Sequence, residues 1–336
     1  MSYHSTATME ALAARIAAAH TIVCTSHEKP DGDAVGSVIG LVRALAPTKD
    51  MHAWLLGSIP SAMAAMTGDT AWTHVGGPHK IPDLEPDLII VLDTGAWSQL
   101  EVLKDWLRDR ADRVIGVDHH ASGDEVAADR VVDAAAASCT VLVMRLIDCL
   151  GIELSTPVAE SLFGGLATDT GWFRQANADA GAFEAAARLL ACGVDKDGLY
   201  RMIEETARAE RLALHARALA SVQWVHDGEV AIMRLCRADF TETGGRRSEV
   251  VGLVNAPLVV QGADMSVLLV EEFEGGVKAS MRSKPPRKPG GPFIDVRAVA
   301  MQLGGGGHIH AAGARLTGDL DAATQAVTHA IDQETA

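Results

Sequence analysis

Apolar residues recur at helical spacing from Thr8 to His20, where Met9, Leu12, Ile16 and Ala19 share one face. The run TIVCTS that follows is short and β-rich, so the pattern predicts a helix and then a buried strand. The alternation returns three times. MHAWLL at 51–56, DLIIVLD at 87–93 and RVIGVD at 113–118 are strand-like runs, separated by stretches such as QLEVLKDWLRDRA that suit helices. Strands alternating with helices predict an α/β fold with a parallel sheet covered on both faces. From Ser138 to about Arg217 alanine and leucine dominate in helical patterning, and no strand is predicted there.

The pattern changes near Ser221. SVQWVHDGEVAIMRL reads as two strands around an Asp-Gly turn, a strong hairpin signal. A helix is predicted around SEVVGLVNA, then strands MSVLLVEEF and GVKASMRS joined across Glu274-Gly275-Gly276, then GGGGHIHAAG and a final helix. The expected organisation is an N-terminal parallel-sheet domain at 1–195, a helical linker at 196–222 and a smaller C-terminal α/β domain at 223–336. With 336 residues, 48% of them apolar, the chain can bury two cores.

Against this frame the polar residues at strand ends stand out. HEKPDGDAVGS crowds His27, Asp31 and Asp33 into one strand-to-helix turn, Asp93 closes VLD, and Asp118, His119 and His120 close GVDHH. Ligands of an open parallel sheet sit outside the carboxyl ends of its strands, so these groups are expected to converge on one crevice. Asp169, in GLATDTGWF, ends an apolar helical stretch and is a fourth candidate. Taken singly, PDGD is a turn motif, Asp93 a strand-end or capping residue, and the histidines a structural pair. Together they call for a cation, because clustered carboxylates raise one another's pKa unless their charge is neutralised. Imidazole and carboxylate without thiolate suit manganese or magnesium, manganese accepting imidazole more readily. About six ligand groups exceed the needs of one ion; two ions roughly 3.5–4 Å apart, bridged by one carboxylate, would use them all.

Composition narrows the partners. A net charge of −15 opposes binding of long nucleic acid, which depends on Lys and Arg displacing counterions. With 4% aromatic residues a platform for stacking many bases is not expected either. The five cysteines, Cys24, Cys139, Cys149, Cys192 and Cys236, form no C-x-x-C pair and leave one over, which fits a reducing compartment. No apolar run approaches a membrane span and no secretory pattern opens the chain, so a cytoplasmic location is expected.

HEKPDGDAVGS, VLDTG, GVDHH, ATDTGWF and GGGGHIHAAG, in this order, resemble the DHH phosphoesterases that carry a C-terminal DHH-associated domain. The likeness spans about residues 9–330. Members of that subfamily include oligoribonucleases acting on very short RNA, phosphatases of 3′-phosphoadenosine 5′-phosphate (pAp), and hydrolases of cyclic di-AMP or its linear product pApA. The resemblance implies an active-site cleft between the two domains and two divalent ions. It assigns His27 and Asp31 to one ion, Asp33, His119 and Asp169 to the other, and Asp93 to both. His120 would face the substrate phosphate or leaving group, with Asp118 orienting the histidines. Arg282 and Ser283 would contact the nucleotide. Gly305, Gly306 and Gly307 before His308 would let the backbone approach a phosphate, at a turn expected to open onto a helix N-terminus. A homodimer is implied as well.

Two features depart from the resemblance. KPPRKPGGPF is longer and more basic than the resemblance leads one to expect, a phosphate grip or only a solvated turn, and Arg246-Arg247 is equally open. The resulting expectation is a metal-dependent phosphoesterase, Mn²⁺ preferred and Mg²⁺ allowed, releasing 5′-mononucleotides from short RNA or pApA and dephosphorylating pAp. Cyclic di-AMP hydrolysis, manganese-dependent pyrophosphatase activity and a nucleotide-binding module without catalysis are the competing readings. The last would show a substituted ligand position, and none of the six is substituted.

Overall fold

A computed structural model describes residues 3–286, 288 and 290–335. Arg287, in the basic stretch KPPRKPGG, lies outside them. The chain divides into two compact units, residues 3–206 and 207–335.

The first unit holds six strands: β1 (Thr21–Thr25), β2 (Asp50–Leu56), β3 (Trp72–Val75), β4 (Leu88–Leu92), β5 (Val114–Asp118) and β6 (Asp129–Val132). They form one parallel sheet in the order β3-β2-β1-β4-β5-β6. Eight helices belong to this unit: α1 (Met9–Ala18), α2 (Gly32–Leu45), α3 (Ser61–Ala65), α4 (Lys104–Arg108), α5 (Cys139–Cys149), α6 (Thr156–Asp169), α7 (Ala180–Ala191) and α8 (Lys196–Ile203). The central strands bury both faces. Ile22 and Cys24 of β1 and Leu88, Ile90 and Leu92 of β4 join the core under α1, α2, α5 and α6. Val23, Ile89 and Val91 point the other way, toward Trp54, Leu103 and Leu107. That is why these runs are continuously apolar rather than alternating. The parallel sheet and the helical stretch after Ser138 are as expected, while β3 and β6 were not foreseen. Both are edge strands of four residues with little buried surface, so neither carries a hydrophobic signature.

The second unit contains α9 (Ala209–Ala220), β7 (Gln223–Val225), β8 (Val230–Leu235), α10 (Arg237–Thr243), β9 (Met265–Glu271), β10 (Val277–Ser283), α11 (Val296–Gln302), β11 (Gly306–His308), β12 (Ala311–Leu316) and α12 (Leu320–Thr335). Its sheet runs β11-β12-β10-β9-β8-β7, antiparallel except for the β8–β9 pair. The predicted hairpin is present, with His226 and Asp227 both at positive φ in its turn. One face of the sheet packs on α11 and α12 through Val267, Leu269, Ala279, Val299, Val327 and Ile331. The other packs on α9 and α10 through Leu214, Leu235, Phe240 and Leu268.

Two expectations are corrected here. The helix around SEVVGLVNA is instead two 3₁₀ segments, Arg247–Val250 and Leu253–Val259, because Gly252 is left-handed between them and Pro257 interrupts the second. The glycine run does not open onto a helix N-terminus. It follows α11 and becomes the edge strand β11, paired only with β12.

The link from fold to site is the crossing of α2 and α6. Gly32, Gly36 and Gly40 lie four residues apart on α2, and a Cβ on Gly36 would sit 2.5 Å from the Ser161 carbonyl oxygen. A Cβ on Gly165 of α6 would meet Thr140 Cγ2 at 2.5 Å and the Gly32 carbonyl oxygen at 3.0 Å. The missing side chains let the two helices touch backbone to backbone, which brings the first turn of α2 beside Asp169 at the end of α6. Gly36→Ala is therefore expected to destabilise by about 1–3 kcal/mol through overpacking, outweighing the gain of about 1 kcal/mol in helix propensity. Denaturant unfolding checks this, and an unchanged or higher midpoint would refute the close crossing.

Candidate metal centre

β1 and β4 are neighbours in the sheet but not in sequence, and the chain leaves them in opposite directions along it. A crevice opens at the carboxyl ends of such a strand pair. His27 follows β1 and Asp93 follows β4. Asp93 adopts φ 61°, a left-handed conformation that Asp tolerates better than most residues, and its N–H donates to the Val117 carbonyl oxygen at 3.0 Å.

The side chains converge at this point. His27 Nε2 lies 3.5 Å from Asp93 Oδ2 and 3.9 Å from Asp31 Oδ1. His119 Nε2 lies 3.4 Å from Asp93 Oδ1, 3.6 Å from Asp33 Oδ2 and 3.9 Å from Asp169 Oδ2. Asp93 thus turns one oxygen toward each imidazole. Two groups of ligand-type atoms result, His27 with Asp31 and Asp93, and Asp33 with His119 and Asp169. A third grouping joins Asp93 to His119 and His120.

Backbone contacts set the orientation of each group. His27 Nδ1 is 2.9 Å from the Glu28 carbonyl oxygen and His119 Nδ1 is 3.3 Å from that of Ala136. A carbonyl only accepts, so each Nδ1 carries a proton, and Nε2 is the nitrogen that each ring can offer to a cation once it is neutral. Asp31 is the N-cap of α2, its Oδ1 accepting from the N–H groups of Asp33 and Ala34. Asp33 spans farther: its two oxygens accept from the Cys139 and Thr140 N–H groups, at 2.6 and 2.9 Å, and so cap α5. Ser138, the residue in N-cap position there, makes no such bond. Asp118 Oδ1 accepts from His120 Nδ1 at 2.7 Å.

Two contributing residues escaped the sequence reading. Asn177 donates to Asp169 Oδ2 at 3.3 Å and to the Ala137 carbonyl oxygen at 3.0 Å, bracing the end of α6. Tyr3 donates to Asp118 Oδ2 at 2.8 Å. Nothing in NADAG or in an isolated N-terminal tyrosine signals these long-range contacts.

The charge balance follows from burial. Asp33 and Asp93 are 1% and 2% exposed, so desolvation weighs on both carboxylates. Burial, then the charges of Asp93 and Asp169, push the Asp33 carboxyl well above its ordinary range against the pull of His119 and the Thr140 N–H. Burial also pushes Asp93 upward, but the two imidazoles beside it outweigh that and hold it below its ordinary value. Asp169 rises to about 6, chiefly by burial, with Asp93 and Asp31 adding to it. Burial pulls His27 and His119 down, yet the surrounding carboxylates, together with the Glu28 carbonyl at His27, lift each to about 9.

The donor set fits divalent cations. Asp93 Oδ1 is buried and has no hydrogen-bond donor; His119 Nε2 at 3.4 Å meets it only as a charge neighbour. A carboxylate oxygen left in that state is costly unless something positive meets it. Carboxylate and imidazole, with no thiolate among them, are the donors such ions take.

The predicted substrate contacts lie in the second unit. Arg282 and Ser283 end β10, where Ser283 Oγ lies 3.0 Å from His310 Nδ1. With Arg247, Lys278 and Ser280, Arg282 lines a cavity of about 280 Å³ walled by Val250, Val251 and Val254. The Arg247 guanidinium packs over the neighbouring rings of Phe240 and Phe273. Gly305 and Gly307 are pressed against β12, a Cβ on Gly307 falling 2.5 Å from the Ala311 carbonyl oxygen, whereas Gly306 faces open space beside the exposed His308.

A doubly wound sheet thus carries an acidic and histidine-rich cluster, a donor set that fits divalent cations, at its switch point, and a mixed-sheet unit follows it in the chain. Residues 21–166 match the DHH family, N-terminal domain. The chain is 32% identical over 320 residues to the bifunctional oligoribonuclease and PAP phosphatase NrnA of Thermus thermophilus, covering 93% of this chain and 90% of that one. It is 25% identical to the cyclic-di-AMP phosphodiesterase GdpP of Geobacillus thermodenitrificans over 91% of its own length and 46% of that protein's. A solved exopolyphosphatase-related protein from Bacteroides fragilis shares 26% identity and superposes with a TM-score of 0.82, covering 97% of this chain and 95% of that one. The chain belongs to the DHH family of phosphoesterases.

The charge balance predicts a pH response of the metal-free protein. Asp169, lifted from 3.8 to about 6, and His27 and His119, lifted from 6.5 to about 9, bind protons more tightly folded than unfolded. Their stabilising contribution is complete below the unfolded values and is lost as pH rises through the folded ones. Asp93 acts oppositely, its contribution lost only as pH falls through its lowered value. With chelator present, the melting-temperature difference between wild type and His119→Ala should therefore shrink from about pH 6 to about pH 9. A difference that widens over this range would contradict the assignment.

Proposed function

We propose that this chain is a two-metal phosphoesterase that hydrolyses short oligonucleotides, nanoRNA and pApA, to 5′-mononucleotides, and that it dephosphorylates pAp. The observation that carries the reading is the placement of Asp93, buried at the switch point with one oxygen toward each of two ligand groups. The likeness to NrnA over nine-tenths of both chains supports the substrate class.

His27, Asp31 and Asp93 would hold one divalent cation, and Asp33, Asp93, His119 and Asp169 the other, with Mn²⁺ preferred over Mg²⁺ because of the imidazoles. When bound, such ions neutralise the carboxylates and act as Lewis acids toward a phosphoryl oxygen. His27 and His119 must first lose a proton from Nε2, which puts metal binding in competition with protons and strengthens it as pH rises. His120 keeps its Nδ1 proton on Asp118 and offers Nε2 to the substrate phosphate or the leaving oxygen. In the second unit, Arg282, Ser283 and His308, with the open backbone at Gly306 between Gly305 and Gly307, grip the phosphate and nucleotide. The overall acidic charge limits the substrate to short oligonucleotides. Domain limits of 1–195 and 223–336 around a helical linker, a homodimeric state and a cytoplasmic location complete the reading. All five cysteines are free, and among the described residues no helix is long and apolar enough to cross a membrane.

The test measures product release from pApA, pAp, a short RNA, cyclic di-AMP and pyrophosphate with added Mn²⁺, comparing wild type with His119→Ala. AMP should appear from pApA only with metal, and the variant should lose more than about 100-fold, beyond the range typical of an outer-sphere residue. Cleavage of pyrophosphate alone would overturn the reading, and cleavage of cyclic di-AMP in preference to pApA would transfer it to the phosphodiesterase likeness.

A further inference from the structure

The N-terminal arm of the first unit is stitched onto β6. Thr6 N–H and Ala7 N–H both donate to the Arg130 carbonyl oxygen, Arg130 N–H donates to Thr6 Oγ1, and Ser5 Oγ pairs with both the N–H and the carbonyl of Val132. The Arg130 side chain closes the arrangement. It is 6% exposed, donates to the carbonyl oxygens of His4 and Ala127, and lies 5.4 Å over the Tyr3 ring. These bonds hold residues 4–7 along β6 and so fix the position from which the Tyr3 side chain departs.

The ring enters a slot made by two glycines. A Cβ on Gly95 would collide with the Tyr3 hydroxyl, and one on Gly123 would fall 2.8 Å from the ring. Gly95 lies two residues past Asp93, and Gly123 three past His120, so the loops that carry the centre also leave room for the tyrosine. At the bottom of the slot the hydroxyl meets Asp118, which is 1% exposed. Asp118 Oδ1 accepts from both the N–H and Nδ1 of His120, at 3.1 and 2.7 Å, while Oδ2 accepts from Tyr3. Among the described residues no other donor to Oδ2 is present. The two oxygens therefore divide their work, one holding His120 and the other anchored by Tyr3.

We propose that Tyr3 is a positioning residue for His120: its hydroxyl locks the Asp118 carboxylate, which in turn holds the His120 ring with Nδ1–H inward and Nε2 free for the substrate. Removing the hydroxyl leaves Oδ2 buried without a donor and the carboxylate free to rotate, so the ring loses its fixed direction. The inference rests on the proposed role of His120 in phosphoester hydrolysis. Tyr3→Phe isolates it, because the ring still fills the slot and only one oxygen is lost.

The experiment is steady-state hydrolysis of pApA at saturating Mn²⁺ by wild type, Tyr3→Phe, His120→Ala and the double variant, with Mn²⁺ affinity measured by calorimetry. Tyr3→Phe should lower kcat by about tenfold with KM and Mn²⁺ affinity unchanged within about twofold. Added to His120→Ala it should cost nothing further, because the two act as one unit. An unchanged kcat, or an equal loss in the His120→Ala background, would overturn the role. If wild type releases no AMP, the reading of the reaction fails instead, and the ¹⁵N shifts of the His120 ring then decide on Tyr3. A single Nδ1–H tautomer that gives way to a mixture in Tyr3→Phe upholds it, and identical shifts in both overturn it.

Discussion

Like charges a few ångström apart, in protein of effective dielectric about 20, repel by on the order of 4 kcal/mol. The centre of this protein places Asp33, Asp93 and Asp169 around one imidazole and closes two of them to solvent. Much of the first unit can be read as the means of holding that arrangement. The strand order opens a crevice where β1 and β4 diverge, the glycines of α2 bring α6 against it, and the N-terminus of α5 supplies two N–H groups to Asp33. His27 and His119 supply positive charge, and Asp93 draws it from both sides.

Much of this was legible in the sequence, for identifiable reasons. The central strands bury two faces, so β1, β4 and β5 are uninterrupted apolar runs, and the polar residues that end them are conspicuous by contrast. His27, Asp31, Asp33, Asp93 and His119 could be placed on one side of a sheet because strand ends in a parallel sheet all point the same way, whereas Asp169, at the end of a helical stretch, was a candidate that only the family resemblance assigned to the cluster. Edge strands offered no such contrast. β3 and β6 bury little, and β11 is glycine and histidine with nothing apolar to count. The 3₁₀ segments near Val250 were misread because valines and leucines spaced as in a helix conceal a left-handed Gly252 and an internal Pro257. Asn177 and Tyr3 were invisible for a different reason: their partners lie 8 and 115 residues away, and the contact depends on the fold rather than on neighbouring sequence.

The two units divide the chemistry by charge. The first gathers carboxylates and imidazoles. The second, in a chain of net charge −15, gathers Arg247, Lys278 and Arg282 around one cavity. Alternate residues of β10 make this possible. Val277, Ala279 and Met281 enter the core, so Lys278, Ser280 and Arg282 share the opposite face without interrupting the apolar packing. Arg247 is pre-set by two aromatic rings, which reduces the conformational freedom it would surrender to a ligand.

The capping of α5 by Asp33 bears on how the molecule assembles. The carboxylate and the two N–H groups it serves are separated by 106 and 107 residues, and the β2, β3, β4, β5 and β6 strands all lie between them. An isolated helix of eleven residues is marginal in water, and α5 has no cap of its own. Its first turn is therefore secured only once that long loop has closed, at an entropic cost that local contacts do not repay. Nascent chains that end before residue 140 hold His27, Asp31, Asp33 and Asp93 but lack the helix whose N–H groups meet the Asp33 carboxylate, so that contact forms only after α5 has been made.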